Sequence, residues 1–148
     1  GSMSAYSVGG NHRHIPEVLQ NLRILGAVNP SVSFTPMLAP MSRGILAVCT
    51  APMTAEAATS LETVYREAYA NEPFARFLPQ GEWPVTKSVV ASNAFQVQAA
   101  FDERAGRLVT VGVLDNLTKG TAGAAVQCMN LALGLNETTG LSTIGVAP

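Results

Sequence analysis

The two histidines of this 148-residue chain lie two positions apart in a segment of glycines and polar residues. His12 and His14 follow Gly9-Gly10-Asn11, and glycine allows a backbone to bend closely around a small molecule. A histidine side chain takes up and releases a proton near neutral pH, so one of these residues could act as a general acid or base. The same pattern is also typical of a loop histidine that caps the helix after it. The residues themselves favour neither interpretation.

Metal and nucleophile chemistry have less support. No Cys, Asp or Glu lies beside the histidines with the spacing of a metal site, so we expect no metal. The two cysteines, Cys49 and Cys128, are far apart in apolar stretches. We expect both to be buried and unreactive, because an apolar environment keeps a thiol protonated. Two unpaired cysteines are consistent with a reducing cytoplasm.

Two segments could bind an anion. Arg43 opens an apolar stretch, which indicates a guanidinium at the edge of a sheet, where it could hold a carboxylate or phosphate through two N–H groups. An ordinary ion pair is the alternative. Residues 119–123 precede a helix, and their backbone N–H groups could hold a phosphate, although the spacing of a P-loop is missing. No dinucleotide-binding glycine fingerprint occurs in the chain.

The composition excludes several classes of partner. The net charge is −1 and the nine basic residues are spread along the chain, so we expect neither nucleic acid nor an anionic membrane as a partner. The apolar runs are far shorter than the roughly 20 residues of a membrane span. Only 13% of the residues are charged, about half of the roughly 25% of a typical soluble domain. We therefore expect a partner to cover part of the surface.

The elements that must position these residues follow from periodicity. The pattern predicts helices over 16–25, 54–70 and about 121–133, the first begun by Pro16 and the second capped by Thr54. It predicts strands over 31–38, 43–51 and 74–78, and a hairpin of residues 94–102 and 108–114. The apolar stretch 43–51 is typical of a central strand that is covered on both faces.

This order of elements predicts an α+β fold, in which a mixed, largely antiparallel sheet carries helices on one face. The last helix is apolar on nearly every side, so it needs cover from more than one direction. Residues 1–3 look like the scar of a protease cut before a start methionine, and we expect them to lie outside the fold.

Several segments together resemble the N-acetyl-gamma-glutamyl-phosphate reductases, NADPH-dependent acyl-phosphate reductases of arginine biosynthesis. The similar segments occur in the family's order and span nearly the whole chain after residue 3. They are Tyr6-Ser7-Val8-Gly9-Gly10-Asn11-His12-Arg13-His14-Ile15-Pro16-Glu17, Phe34-Thr35-Pro36, Pro40-Met41-Ser42-Arg43-Gly44-Ile45, Asp115-Asn116-Leu117-Thr118-Lys119-Gly120, Ala125-Val126-Gln127-Cys128-Met129-Asn130 and Glu137-Thr138-Thr139-Gly140-Leu141.

The resemblance covers only the C-terminal part of that enzyme and implies a fold similar to the C-terminal domain of glyceraldehyde-3-phosphate dehydrogenases. Residues 4–118 would form the substrate-binding and dimerisation domain. Residues 119–148 would form a helix and tail that pack on an NADP-binding domain absent from this chain. The implied assembly is a cytoplasmic homo-oligomer, a dimer or a tetramer, whose small-molecule substrate is an acyl phosphate.

The resemblance also implies roles for individual residues. N-acetyl-gamma-glutamyl phosphate would be reduced to N-acetylglutamate semialdehyde and phosphate, with His12 in acid/base work and Tyr6 lining the same pocket. Asn11 and Arg13 would bind substrate, and Asn116 would face the nicotinamide of NADPH. Neither cysteine lies in the family's nucleophile motif, so we expect the isolated chain to be inactive.

Two alternatives stay open at this point. The chain could be a non-catalytic module for dimerisation and anion binding, in which Arg43 holds a carboxylate or phosphate. It could also belong to the related reductases of a carrier-bound aminoadipate phosphate, which share this architecture.

Overall fold

The computed structural model describes residues 1–146, and Ala147 and Pro148 lie outside it, with the end of the tail predicted at 119–148. The chain divides into two compact units, Gly1–Ser42 and the part that starts at Arg43. Each unit is built around different elements.

The first unit is built on one helix and two very short strands. Helix α1 (Ile15–Ile24) has Pro16 in its first turn, as predicted. The chain leaves the helix through Gly26, whose φ of +95° suits glycine. Strands β1 (Ser4–Ala5) and β2 (Met37–Leu38) pair antiparallel. The strand predicted over 31–38 is therefore regular only at its last two residues, because β1 offers only two residues to pair with.

A four-stranded sheet forms the centre of the second unit. Its strands are β3 (Ile45–Pro52), β4 (Ala75–Phe77), β5 (Phe95–Asp102) and β6 (Arg107–Leu114), and their spatial order is β3-β6-β5-β4. The pairs β3–β6 and β5–β6 are antiparallel, while β4 runs parallel to β5. The predicted α+β class with a mixed, largely antiparallel sheet is confirmed, and so is the predicted hairpin.

Strand β3 corrects one prediction. It lies at the edge of the sheet, and all eight of its residues are exposed. The side chains of Leu46 and Val48 are 50% and 58% exposed. The prediction of a central, doubly covered strand was wrong, because an apolar run indicates that cover is needed and not that the same chain supplies it.

The helix predicted over 54–70 is divided into α2 (Ala55–Ala58) and α3 (Leu61–Tyr69). Thr54 caps α2 as predicted, since its hydroxyl accepts the N–H of Ala57 at 3.2 Å. The break falls at Thr59 and Ser60, whose hydroxyls donate to backbone carbonyls three residues earlier. Such bonds compete with the helical ladder and favour a new start.

Helix α3 covers one face of the sheet with aromatic side chains. The Tyr65 hydroxyl lies 2.7 Å from the Thr110 hydroxyl on β6, and its ring centroid is 5.4 Å from that of Phe77 on β4. The ring centroids of Tyr69 and of Phe95 on β5 lie 6.2 Å apart. The buried apolar side chains of this unit are Phe74, Leu78, Val89, Ala94, Val97 and Val113.

The last helix, α4 (Gly123–Ala132), follows a π-helical turn at Thr118–Ala122. Its buried side is polar: Asn130 is 1% exposed, and its amide donates to the carbonyls of Glu137 and Thr139 at 3.1 and 3.0 Å. Its outer side is apolar, with Met129 and Leu131 49% and 57% exposed.

The burial expected for the two cysteines was wrong. Cys49 lies on the uncovered strand β3 and Cys128 on α4, and both are exposed. Both expectations took an apolar sequence context as evidence of burial, and in each case the described part of the chain leaves the element's apolar side open.

Candidate functional site

The segment before α1 folds into a tight loop around His12. Ser7, Gly9 and Gly10 all have positive φ values, of 48°, 75° and 82°. These conformations turn the chain back on itself, so that the Tyr6 and His12 ring centroids lie 5.8 Å apart. The structure thus brings together the two residues predicted to be catalytic.

Two further rings contact His12. The Phe34 and His14 ring centroids each lie 4.8 Å from the His12 centroid, both edge-on. Sequence reasoning did not single out Phe34 as a site residue. The signal that could have found it is the Phe34-Thr35-Pro36 motif, although the strand predicted over 31–38 accounted for this aromatic residue, which the structure places outside any strand.

One hydrogen bond defines the state of the His12 ring. The backbone N–H of His14 donates to Nδ1 of His12 at 3.2 Å. Residue His14 is the N-cap of α1, and its side chain makes no capping hydrogen bond. The His12 ring therefore accepts the N–H of the N-cap residue through Nδ1. Its Nε2 is left for other partners.

The other polar residues of this loop lie at its surface. The Asn11 amide donates to the Val8 carbonyl at 2.8 Å, which closes the loop from inside. Arg13 is exposed. Their predicted substrate contacts stay predictions.

In the second unit, Asp115 is the centre of a polar cluster. Its side chain is fully buried and forms an ion pair with the 30% exposed Arg43 at 2.7 Å. Three backbone N–H groups also donate to the Asp115 carboxylate, those of Ala91, Leu117 and Thr118.

These donors determine the charge of Asp115. Burial by itself raises the pKa of this carboxyl, but the Arg43 guanidinium and the three N–H groups outweigh it and hold the pKa well below its usual range. Asp115 is therefore ionised at neutral pH. The ion pair that was the alternative for Arg43 is present, and anion binding by Arg43 stays a prediction.

Asn116 lies beside this cluster with a defined amide orientation. Its Oδ1 accepts the backbone N–H of Gly44 at 2.7 Å, and the Gly44 φ of +106° suits only glycine. An amide whose oxygen is engaged has its NH₂ group left for a ligand. The structure thus brings Arg43 and Asn116 together around Asp115.

A second polar network surrounds Lys119. Its ammonium donates to Gln127 Oε1 at 2.7 Å and lies 5.1 Å from the centre of the Phe74 ring. Gln127 in turn donates to Glu137 at 2.6 Å. Burial lowers the pKa of Lys119, and the charge of Glu137 opposes this shift.

The phosphate site predicted at residues 119–123 finds no support in this geometry. The N–H groups of Gly120 and Ala122 already donate to the carbonyls of Asp115 and Leu117. A phosphate at this turn would have to break the bonds that form it.

Residues 1–146 contain neither a metal-binding group of side chains nor a membrane-spanning helix. No three His, Cys, Asp or Glu side chains in this range are grouped so that they could hold a metal ion. None of its helices has the length and apolar character needed to cross a bilayer.

Comparison with known proteins identifies the family of this chain. The family described as "Semialdehyde dehydrogenase, dimerisation domain" matches residues 1–116. Proteins named N-acetyl-gamma-glutamyl-phosphate reductase match the whole chain: that of Streptomyces coelicolor is 60% identical, that of Saccharopolyspora erythraea 58% and that of Micrococcus luteus 55%. The motif-based resemblance is thus confirmed. The chain spans only 43–44% of the length of these relatives.

Proposed function

This chain belongs to the family of semialdehyde dehydrogenase dimerisation domains, and we propose that it is the substrate-binding and dimerisation part of an N-acetyl-gamma-glutamyl-phosphate reductase. The reaction would reduce the acyl phosphate to N-acetylglutamate semialdehyde with release of phosphate, in the cytoplasm. The observation that carries this proposal is the His12 cluster, in which Tyr6 and His12 lie 5.8 Å apart in a glycine-rich loop.

We assign the proton work of this reaction to His12. Its Nε2 would meet the reacting oxygen, and proton exchange there requires that Nδ1 give up the His14 N–H that it accepts in the structure. Tyr6 would line the same pocket, with Asn11 and Arg13 at the rim of the loop. The nucleophilic cysteine would come from outside this chain, since neither Cys49 nor Cys128 lies in the loop.

NADPH would supply the hydride when bound. The Asn116 amide fits one polar group of its nicotinamide, because Oδ1 is held by Gly44 and the NH₂ group is left to donate to a carboxamide oxygen. The sequence has no glycine fingerprint for the diphosphate, so most of the NADPH contacts would come from another domain. Arg43 would hold Asp115 and so support Asn116, besides its predicted contact with an anion.

The other domain would rest on α4. The exposed apolar residues Met129, Leu131 and Leu133 lie on or directly after that helix. An apolar side of this kind is typical of an interface.

Turnover on mixing tests the catalytic proposal. The chain is combined with the separately expressed nucleotide-binding half of the Streptomyces coelicolor relative, and NADPH oxidation is followed with N-acetyl-gamma-glutamyl phosphate. His12→Ala should lower turnover by about 10²–10⁴. The control Glu103→Ala, in the β5–β6 turn, should leave turnover unchanged.

Each outcome of this experiment has a distinct meaning. Unchanged turnover in His12→Ala would exclude the acid/base role. Preference for a carrier-bound aminoadipate phosphate would assign the chain to the related reductases. Halves that bind each other without turnover would favour a non-catalytic module.

The open face of the sheet supports homodimerisation. Side chains alternate along a strand, so Leu46 and Val48 on β3 share with Val111 on β6 the face opposite α3. We propose that a second copy covers this face. Sedimentation equilibrium should show a dimer that Val48→Asp converts to a monomer. Ala47→Asp, on the other face of the same strand, should leave the dimer intact, and a monomer at every concentration would contradict the proposal.

A further inference from the structure

The hydrogen bond from the His14 backbone to His12 has a consequence for the position of a single proton. A neutral imidazole carries one hydrogen, and its other nitrogen is an acceptor. Nδ1 of His12 accepts the His14 N–H at 3.2 Å, and this bond favours the neutral ring that carries its hydrogen on Nε2.

The surrounding rings keep this arrangement in place. Phe34 and His14 contact the His12 ring edge-on, with interplanar angles of 68° and 77°, and Tyr6 does so at 63°. A rotation that exchanges the two ring nitrogens changes the contacts with all three neighbouring rings. His12 is also only partly exposed.

We propose that the backbone N–H of His14 is a positioning group that holds neutral His12 as its Nε2–H tautomer. This inference rests on the proposed function, since it concerns the atom that His12 presents to the substrate. A neutral His12 in this state donates a hydrogen bond from Nε2 to a substrate oxygen. Nε2 can take up a proton only in a ring whose hydrogen is on Nδ1, so the hydrogen bond from His14 must break before that step.

The chain offers a matched pair of variants at residue 14. His14→Pro removes the backbone N–H, because proline has none, and the His14 φ of −83° is close to the range that proline adopts. His14→Ala keeps the N–H and removes only the imidazole. A difference between these two variants therefore reports the backbone donor and not the side chain.

Nitrogen NMR of the ¹⁵N-labelled chain tests the proposal without any measurement of turnover. At a pH where His12 is neutral, the unaltered chain and His14→Ala should show Nε2 with the shift of a protonated nitrogen. They should also show a ¹⁵N–¹⁵N coupling across the bond from the His14 amide to Nδ1. His14→Pro should lose the coupling and change the tautomer ratio by about fivefold, the effect of one ordinary hydrogen bond.

Several results would overturn the proposal. They are a hydrogen on Nδ1 in the unaltered chain, absence of the coupling, or equal tautomer ratios in His14→Ala and His14→Pro. The first two need no variant, so the test survives if His14→Pro fails to fold. The NMR result and the turnover result can also differ. If the unaltered chain shows the Nε2–H tautomer but His12→Ala loses no turnover, the proposed function is wrong and the role of the His14 N–H stands.

Discussion

Helices α3 and α4 each have an apolar side, and the two sides are used in opposite ways. Helix α3 turns Tyr65 and Tyr69 towards the sheet. Helix α4 turns the amide of Asn130 inward and leaves Met129 and Leu131 outside. An apolar side is therefore evidence that an interface exists, and the partner in that interface need not be the same chain.

Buried polar groups on α4 and in the segment before it have specific hydrogen-bond partners. The Asn130 amide meets two carbonyls of the segment after the helix, and the Asp115 carboxylate meets four donors before it. Burial of an amide or a carboxylate is costly unless such partners are present. These contacts hold α4 by its two ends, in contrast to the aromatic contacts along α3.

The largest effect is expected at Asp115, directly after β6. Asp115→Asn would remove the negative charge that pairs with Arg43 and should lower the free energy of unfolding by about 3–5 kcal/mol. The control is Asp102→Asn, where an exposed carboxylate accepts only the Ala105 N–H, and its cost should be about 1 kcal/mol. Urea unfolding of both variants measures the difference, and equal losses would contradict the central role of Asp115.

Acid should act on the same group. The pKa of Asp115 is lower in the folded chain than in the unfolded one, so its stabilising contribution is complete above about pH 4 and is lost as the pH falls towards the depressed value. Urea midpoints between pH 6 and pH 2 should therefore fall more steeply for the unaltered chain than for Asp115→Asn. Parallel curves would show that Asp115 does not carry this dependence.

The next largest loss of stability is expected in the middle of α4. It tests whether the polar side of this helix is buried and its apolar side exposed. Asn130→Ala removes a buried amide that donates to the carbonyls of Glu137 and Thr139 and should cost about 1–3 kcal/mol. Met129→Ala, one position away on the exposed side, should change stability by less than about 0.5 kcal/mol. A larger loss for Met129→Ala would mean that the apolar side is the buried one.

The smallest effect on stability is expected on the outer side of α4. Leu131→Lys should leave the unfolding free energy within about 0.5 kcal/mol and abolish association with a nucleotide-binding half. Val64→Lys is the matched variant on α3, where an exposed apolar residue has no proposed partner. Analytical ultracentrifugation of each variant mixed with the nucleotide-binding half should show a complex for Val64→Lys and none for Leu131→Lys. A complex with Leu131→Lys would place the interface elsewhere.

The parts of the fold that sequence predicted well are those with local causes. Alternation over 94–102, followed by a turn into 108–114, predicted the hairpin, and Pro16 and Thr54 marked two helix starts. The break at Ser60 was missed, because a hydroxyl that bonds backwards has the same sequence pattern as one inside a helix.

The sequence predicted which residues belong to the candidate site but not which of them are in contact. His12 and Tyr6 were singled out from one loop, and the structure places their rings together. The contact of Phe34 with His12 joins positions 22 residues apart, and no periodicity relates them. The Arg43–Asp115 pair spans 72 residues and depends on β3 pairing with β6.

The amino-acid sequence by itself determined the family, the α+β class and the loop that carries His12, because motifs, alternation and glycines act over a few residues. Tertiary structure alone decided which sides are covered. It placed β3 at an edge, turned the polar side of α4 inward and set the His14 N–H against the His12 ring. Burial and hydrogen bonding depend on neighbours that are distant in the chain, and a local pattern records the need for a neighbour without identifying it.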